Sequence, residues 1–268
     1  MKKSIFLLCA LATLMISCSK QPEVIEKITV FKTYNEHHFY KLNLPDSLKW
    51  DSQDVYSEVK IFLQWPLKIN GIEVPELQKE LTSAIFADTT NIDSCITKIL
   101  KAPVFFEDNP EVTQQKVDSI PELGRSTFYS KALKPTYLGE RLYSFAVESA
   151  DYQGGAHGFY GTSYIVYDID KNKIVKLDDL FTDKTALVGM IVNQIKADFE
   201  EEDSCIDYNL IKETDNFFID DSSIVFQYNP YEIACYAQGE VKARLDFYNF
   251  FGKDCLTPYA KELFKIDE

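Results

Sequence analysis

Hydrophobic and polar residues alternate in several short stretches of this chain, and this period of two is typical of half-buried β-strands. The stretch from Asp54 to Trp65 shows the alternation first, and Phe159 to Ile169 is rich in Tyr, Ile and Val. Residues 170–173, Asp-Lys-Asn-Lys, predict a hairpin turn after the second of these strands. Further strands are predicted over Thr136–Tyr152, over Phe217–Tyr228 with a turn at Asp220-Asp221-Ser222, and over Val241–Phe250.

Helical spacing of apolar residues separates the predicted strands. The predicted helices are Pro75–Ala87, Ile92–Lys101, a long one from Asp183 to about Glu202, and a last one that begins at Thr257-Pro258. Between residues 103 and 135, four prolines favour loops with one short helix. Clusters of strands separated by helices predict an α+β fold with antiparallel sheets, packed helices and two intimately associated subdomains.

The first eighteen residues predict the compartment. A basic start precedes a run of twelve mostly apolar residues, Ile5–Ile16, which suits a signal peptide and is too short for a comfortable membrane span. The run ends in Leu14-Met15-Ile16-Ser17-Cys18, which is similar to the lipobox of bacterial lipoproteins. That similarity implies that residues 1–17 are removed and that Cys18 is acylated, so we expect a lipid-anchored protein of the cell envelope, periplasmic or at the outer membrane and surface. An ordinary cleaved secretory signal is the alternative.

Composition and charge limit the classes of partner that the protein is expected to bind. The 268 residues are 46% hydrophobic and 14% aromatic, enough for a folded core, and they have a net charge of −14. Residues 1–17 contain two lysines and no acidic residue, so without them the net charge becomes −16. Such a protein is expected to avoid nucleic acid and to attract basic partners, although an acidic surface also serves solubility alone.

Cysteine usage favours disulfides. After Cys9 and Cys18 are assigned to the N-terminal signal, four cysteines remain, and in an exported protein an even number suggests a disulfide framework. The sequence leaves all three pairings open, and buried free thiols are the alternative. The candidate disulfide residues are Cys95, Cys205, Cys235 and Cys255.

Metal and cofactor sites are not predicted. The chain has three histidines, His37, His38 and His157, and neighbouring residues on a strand point to opposite faces, so the first two could not easily act together. The segment that starts at Asp168 has the acidic spacing of a calcium loop but lacks its glycine and its last glutamate, so a hairpin turn explains it better.

The segment Gly154-Gly155-Ala156-His157-Gly158 carries the candidate chemistry. Three glycines around one histidine predict a sharp turn that holds the ring at an exposed edge. Nearby residues form no nucleophile motif, so no catalytic residue is assigned, and a hydrolase that uses His157 stays the alternative hypothesis.

A second segment, residues 228–239, contains several tyrosines around a turn that starts at Pro230. Tyr231 and Tyr236 within it suit recognition of proteins or sugars, while core packing explains them equally well.

Together three segments resemble a known family. They are Tyr152–Gly158, the stretch Tyr167–Asp170 with its continuation Leu177–Phe181, and Tyr231–Gly239. They are similar to the RsiV/PdaC-type bacterial envelope domain of unknown function, DUF 3298. This domain is the extracellular part of the lysozyme-sensing anti-sigma factor RsiV and accompanies the catalytic domain of the peptidoglycan deacetylase PdaC. Cys235 stands where this family leads one to expect proline.

The resemblance implies a division of the chain and a role. The division is a signal peptide at 1–17, a tether with N-terminal strands at 18–53, a PdaC-like DUF 4163 region at 54–158 and an RsiV-like domain at 159–268. The implied role is a lipid-anchored binding protein for a basic protein such as lysozyme or for cell-wall glycan, with His157, Gly154, Gly155, Tyr231 and Tyr236 as candidate recognition residues. The alternative is a peptidoglycan-modifying hydrolase or accessory subunit. The resemblance transfers no catalytic residue and no cofactor.

Overall fold

The computed structural model describes residues 28–42, 55–101, 112–115, 125–153, 156–199 and 204–266. Its helices are α1 (Pro75–Phe86), α2 (Ile92–Lys101), α3 (Leu177–Leu180), α4 (Lys184–Phe199) and α5 (Pro258–Phe264). Its strands are β1 (Val30–Leu42), β2 (Val55–Ile69), β3 (Ile72–Glu73), β4 (Val112–Gln115), β5 (Arg125–Leu138), β6 (Leu142–Tyr152), β7 (Phe159–Asp168), β8 (Lys173–Val175), β9 (Phe217–Ile219), β10 (Ser223–Tyr228) and β11 (Val241–Asp246). The signal peptide, Cys18, Gly154 and Gly155 lie outside the described residues.

The first sheet runs in the order β4-β1-β2-β5-β6-β7-β8, with β3 paired to the end of β2. Its pairs are antiparallel except for β2 with β5, which run parallel. Alternate residues of β2, from Val59 to Trp65, are buried on the face that packs against α1 and α2, where Leu77, Leu81 and Ile85 complete the core. The apolar face of a strand, which repeats every two residues, thus packs against the apolar faces of helices, which repeat every 3.6 residues.

The prediction of loops over residues 103–135 is wrong in two parts of this sheet, because residues 112–115 form β4 and residues 125–135 form the first part of β5. The single strand predicted over 136–152 is the end of β5, a turn and then β6. Pro135 misled the prediction because proline cannot donate to a sheet ladder. The proline is tolerated here because β5 pairs with β2 only as far as Leu133, and the pairing with β6 is irregular just after Pro135.

The second sheet has the order β11-β10-β9 and confirms the predicted hairpin. The turn between β9 and β10 is fixed by Asp220, whose carboxylate accepts hydrogen bonds from the backbone N–H groups of Ser222 and Ser223. Leu187, Ile191 and Ile195 of α4 contribute to the core over this sheet. In the part of the chain that the structure describes, five helices and two antiparallel-rich sheets give the α+β architecture that the patterns predicted.

A buried ion pair joins the first sheet to the last helix. Asp168, at the end of β7, is fully buried and lies 2.9 Å from Nη2 of Arg141. The hydroxyl of Tyr259 in α5 donates to the same carboxylate at 2.7 Å, and Arg141 also pairs with Glu262 of α5. Burial alone would raise the pKa of Asp168, but the hydrogen bonds from Arg141, Tyr259 and the backbone N–H of Lys171 hold it below its usual value.

Several local predictions are confirmed. The turn at residues 170–173 contains Asn172 at a φ of 49°, a conformation that asparagine tolerates. Thr257 caps α5 by accepting a hydrogen bond from the N–H of Ala260, and Pro258 follows in the first turn. Within the described ranges, none of the helices is both long and apolar enough to cross a bilayer. The division at residue 158 stays a prediction; β6 and β7, on its two sides, are paired neighbours.

Candidate recognition site

His157 is held by both ring nitrogens in the loop between β6 and β7. Nδ1 lies 2.9 Å from the carbonyl oxygen of Gly158, and because a carbonyl can only accept, Nδ1 carries the proton. In the neutral ring Nε2 then presents its lone pair, and the hydroxyl of Tyr231 donates to it at 3.0 Å. These two bonds fix the tautomer and the orientation of the ring.

Three tyrosines surround this histidine. The ring of His157 stacks on Tyr236 with 3.9 Å between centroids and 17° between planes, and Tyr231 lies 5.6 Å from Tyr236. Tyr160, from β7, meets Tyr236 edge-on at 5.7 Å. Offset stacking and edge-on contact are the favoured geometries of aromatic pairs. We call these four residues, His157, Tyr160, Tyr231 and Tyr236, the aromatic cluster.

The backbone presents Tyr231 to solvent. Its φ is 72°, an uncommon conformation for a bulky residue, and 57% of its surface is exposed. The turn that holds it begins where the N–H of Asn229 donates to the carboxylate of Glu232, and the N–H of Tyr231 donates to the carbonyl of Ala234. Strained backbone of this kind is found at functional sites, where the surrounding structure enforces it.

A disulfide fastens the tyrosine-bearing loop. Cys205 and Cys235 are bonded, with 5.9 Å between their Cα atoms, and Cys235 directly precedes the short 3₁₀ turn that begins at Tyr236. The bond joins this turn to the segment that follows α4. Of the four candidate cysteines, the other two are not paired: Cys95 and Cys255 are buried free thiols. That part of the disulfide expectation is wrong: Cys95 is buried in α2, with its thiol 3.2 Å from the hydroxyl of Thr90, and Cys255 is buried in the core over the second sheet.

Side-chain amides attach two segments to β7: Asn229 belongs to the tyrosine-bearing loop, and Asn216 directly precedes β9. Asn229 accepts a hydrogen bond from the N–H of Thr162 at 2.8 Å, and Asn216 accepts one from the N–H of Tyr164 at 3.0 Å. The amide of Asn216 also donates to the carbonyl of Thr162 at 2.9 Å. These bonds pair two backbone N–H groups and one backbone carbonyl of β7 in the part of the strand that β8 does not cover. Such an unpaired strand edge would otherwise be open to aggregation.

Steric contacts explain why glycine occupies two positions beside the cluster. A Cβ on Gly158 would lie 2.5 Å from the carbonyl oxygen of Asp151, so only glycine allows the loop to pass this close to β6. Gly239 has a φ of 75°, and a Cβ there would approach the hydroxyl of Tyr160 to 3.1 Å. Gly154 and Gly155 were predicted as recognition residues and lie outside the described ranges, so their role stays a prediction.

The charge around the cluster is mainly acidic. Glu232 follows Tyr231 and is exposed, and Glu240 accepts a hydrogen bond from the hydroxyl of Thr162 at 2.8 Å. Behind them, burial first, then the nearby charges of Glu240 and Glu148, raise the pKa of Tyr164 to about 12. Its hydroxyl therefore stays protonated and donates to Gln227 at 3.0 Å.

The other histidines are placed far from this cluster in the sheet. Nε2 of His37 lies 2.7 Å from Glu58, and Nε2 of His38 lies 2.8 Å from Glu36, so the two rings have different partners as strand geometry predicts. Among the described residues, no group of three or more histidine, cysteine or acidic side chains is arranged to hold a metal.

The structure also adds residues that the sequence analysis missed. Tyr160, Asn216 and Asn229 complete the site, yet none of them stands out in the chain. Tyr160 is one tyrosine of sixteen, and the two asparagines sit at the ends of apolar strands, where such residues are common turn formers.

Comparison with known proteins finds a family model that matches part of the chain. Residues 178–248 match the family model described as a protein of unknown function, DUF3298, which confirms the predicted family over that range. This range includes Tyr231 and Tyr236, while His157 precedes it. No curated protein shows significant similarity to the chain.

Two solved structures of that family share the fold. A DUF3298 family member from Bacteroides fragilis NCTC 9343 is 20% identical with a TM-score of 0.62, and the match covers 87% of this chain and 96% of that one. A DUF3298 family protein from Pseudomonas aeruginosa PAO1 is 14% identical with a TM-score of 0.56, covering 88% and 98%. At these identities the likeness concerns the fold alone, and it extends well beyond the residues that match the family model.

Proposed function

We propose that this protein is a binding module of the cell envelope, tethered through a lipid on Cys18, which captures a basic protein through the aromatic cluster. The observation that carries the proposal is the meeting of His157 with Tyr231 and Tyr236, from loops 74 residues apart, in an exposed position. Tyrosines held in fixed orientations give large contact area at low entropic cost, which favours recognition.

Charge supports a basic partner. The chain has 42 acidic and 28 basic residues, and Glu232 and Glu240 flank the cluster. Lysine and arginine side chains of a partner would gain both from these carboxylates and from cation–π contact with the tyrosine rings. The resemblance to the extracellular domain of RsiV makes lysozyme the natural probe, and cell-wall glycan, which also stacks on aromatic rings, is the competing ligand.

The experiment is a titration of the purified protein with lysozyme at low and moderate salt. We expect binding at low salt that weakens as the salt rises, because screening shortens the reach of the charges. Tyr236→Ala should weaken binding by about 30-fold, the effect of a central aromatic contact of roughly 2 kcal/mol. Tyr248→Ala is the matched control, since Tyr248 is 68% exposed and lies beyond the opposite end of β11.

The absence of lysozyme binding at low salt contradicts the lysozyme version of the proposal. Binding of peptidoglycan fragments that is insensitive to salt but lost in Tyr236→Ala would assign the cluster to glycan instead. Equal loss in Tyr236→Ala and Tyr248→Ala would place the interaction outside the cluster.

The alternative, a peptidoglycan-modifying hydrolase or accessory subunit, rests on the bond between His157 and the Tyr231 hydroxyl, which places a base beside a possible nucleophile. Against it, both ring nitrogens of His157 are already engaged, and the partner of Nδ1 is a backbone carbonyl rather than an orienting carboxylate. Turnover of peptidoglycan fragments by the unaltered protein that disappears in His157→Ala, with the fold intact, would establish the hydrolase. Unchanged turnover in this variant would remove it.

A further inference from the structure

A second candidate site lies on the first sheet, away from the aromatic cluster. A groove of about 470 Å³ opens between the end of α1, α2 and β5, which is within the size range of small-molecule sites. Its apolar walls include Ile85, Phe86, Cys95 and Ile99, and Tyr129 and Lys131 of β5 line it from the sheet. The groove therefore combines an apolar lining with one inward lysine.

Lys131 is incompletely compensated for a half-buried cation. Its ammonium group has three N–H donors, and its hydrogen-bond partner among the described residues is the neutral hydroxyl of Ser149, 3.0 Å away on β6. Burial lowers the pKa of Lys131 even though the charge of Asp151 opposes the shift. The ring of the adjacent Tyr129 lies 5.5 Å from Nζ of Lys131, but it supplies no counter-charge, because burial raises the pKa of Tyr129 to about 12 and its hydroxyl stays neutral.

The other charged residues of the groove balance each other, so the net charge of the lining comes from Lys131. Lys98 of α2 also lines it, and the one carboxylate in the lining, that of Asp88, lies 3.5 Å from Lys98 and accepts a hydrogen bond from the N–H of Thr90. Two lysines against one carboxylate leave a positive lining in a chain whose net charge is −14. An anion with an apolar body matches both the charge and the walls.

We propose that this groove binds a small amphipathic carboxylate, with its head group on the ammonium of Lys131 and its apolar part against Ile85, Phe86 and Ile99. The carboxylate supplies a charged acceptor in hydrogen-bond contact, whereas the hydrogen-bond acceptor that the described residues give Lys131 is a neutral hydroxyl. In a partly desolvated place such a charge-assisted hydrogen bond is strong. The site is independent of the aromatic cluster, so either proposal can fail without the other.

The test uses octanoate as the probe and 1-octanol as its uncharged counterpart. Calorimetric titration of the purified protein should show octanoate binding at least tenfold more tightly than octanol. Cys95 provides a local readout because its buried thiol lines the groove: octanoate should slow its alkylation by iodoacetamide, measured by peptide mass spectrometry. The buried thiol of Cys255, in the other core, is the internal control and should not change.

Variants assign the role of the lysine. Lys131→Met keeps the aliphatic stem and should weaken octanoate binding about tenfold or more while leaving octanol unchanged. Lys134→Met is the matched control on the same strand, because Lys134 is exposed and pairs with Glu148 at 2.8 Å. Ala84→Trp, at an exposed position of α1 in the groove wall, should block octanoate with Lys131 intact.

Three outcomes overturn the proposal. In the first, octanoate does not slow the alkylation of Cys95. In the second, octanol binds as tightly as octanoate. In the third, the Lys131→Met variant binds octanoate as well as the unaltered protein does. Should Lys131→Met fail to fold, Ala84→Trp decides, and undiminished octanoate binding in that variant contradicts the groove as the site.

Discussion

At the scale of single residues, the site depends on close approaches that only certain side chains permit. Gly158 lets its loop pass against the carbonyl of Asp151, and the same residue's own carbonyl fixes the tautomer of His157. Tyr231 accepts a φ of 72° and gains a hydrogen bond to that ring. The orientation of the histidine ring thus follows from its neighbours.

Gly158→Ala should disrupt this arrangement. A methyl group 2.5 Å from a backbone oxygen forces the loop to shift, and we expect a loss of about 1–3 kcal/mol in the free energy of unfolding, measured with urea, together with weaker partner binding. Gly189→Ala is the control, because Gly189 lies in α4 with no atom within 4 Å of the added methyl group. That change should stabilise the protein by about 0.5–1 kcal/mol. Equal effects at the two positions would contradict the steric argument.

At the scale of elements, the loop that carries Tyr231 and Tyr236 is secured by contacts with elements far away in the chain. The disulfide from Cys235 ties it to Cys205, and the amide of Asn229 ties it to β7. Such contacts restrict the loop before a partner arrives, which lowers the entropic cost of binding. The loop is therefore expected to be ordered in the free protein.

Removal of the disulfide tests this order. Cys205→Ser together with Cys235→Ser should lower the free energy of unfolding by about 3–4 kcal/mol, from the chain entropy of a loop of this length, and should weaken partner binding. Reductant should reproduce both effects in the unaltered protein and have no further effect on the double variant. Alkylation of the denatured, unreduced protein should label Cys95 and Cys255 but neither disulfide cysteine. Labelling of Cys205 or Cys235 would contradict the assignment.

At the scale of the whole molecule, two cores are joined near the buried carboxylate of Asp168. The first core lies between the large sheet and α1 with α2, and the second lies between the small sheet and α4. Asp168 ends a strand of the large sheet, and Tyr259 and Glu262 of α5 belong to the second half of the chain. Loss of this carboxylate would leave Arg141 with less compensation and loosen the last helix.

Asp168→Asn should therefore destabilise the protein by about 3 kcal/mol at neutral pH. Because the pKa of Asp168 is lowered in the folded state, its stabilisation is present above the unfolded pKa near 3.9 and is lost as the pH falls through the lower folded pKa. Urea unfolding should show the difference between the two proteins shrinking below about pH 4. Asp170→Asn is the control: Asp170 is exposed and 3.8 Å from Arg141, so a change within about 0.5 kcal/mol is expected. A deficit that stays constant with pH would contradict the ionic role.

The sequence predicted most elements because their patterns are local. The helices at Pro75 and Ile92, the turn at residues 170–173 and the cap at Thr257 each depend on a few consecutive residues. It failed over residues 125–135, because the tolerance of Pro135 depends on where the neighbouring strand stops pairing. It also identified His157, Tyr231 and Tyr236 as candidates without indicating that they meet.

By itself, the sequence therefore determined the α+β class, the cysteine set, the acidic charge and the family resemblance, since composition and short-range periodicity carry that information. Only the tertiary structure decided that Cys205 pairs with Cys235, that β5 runs parallel to β2, and that His157 stacks on Tyr236. The physical reason is that a periodic pattern fixes which side chains share a face of one element. Which distant faces and loops come into contact is set by the packing of the whole chain.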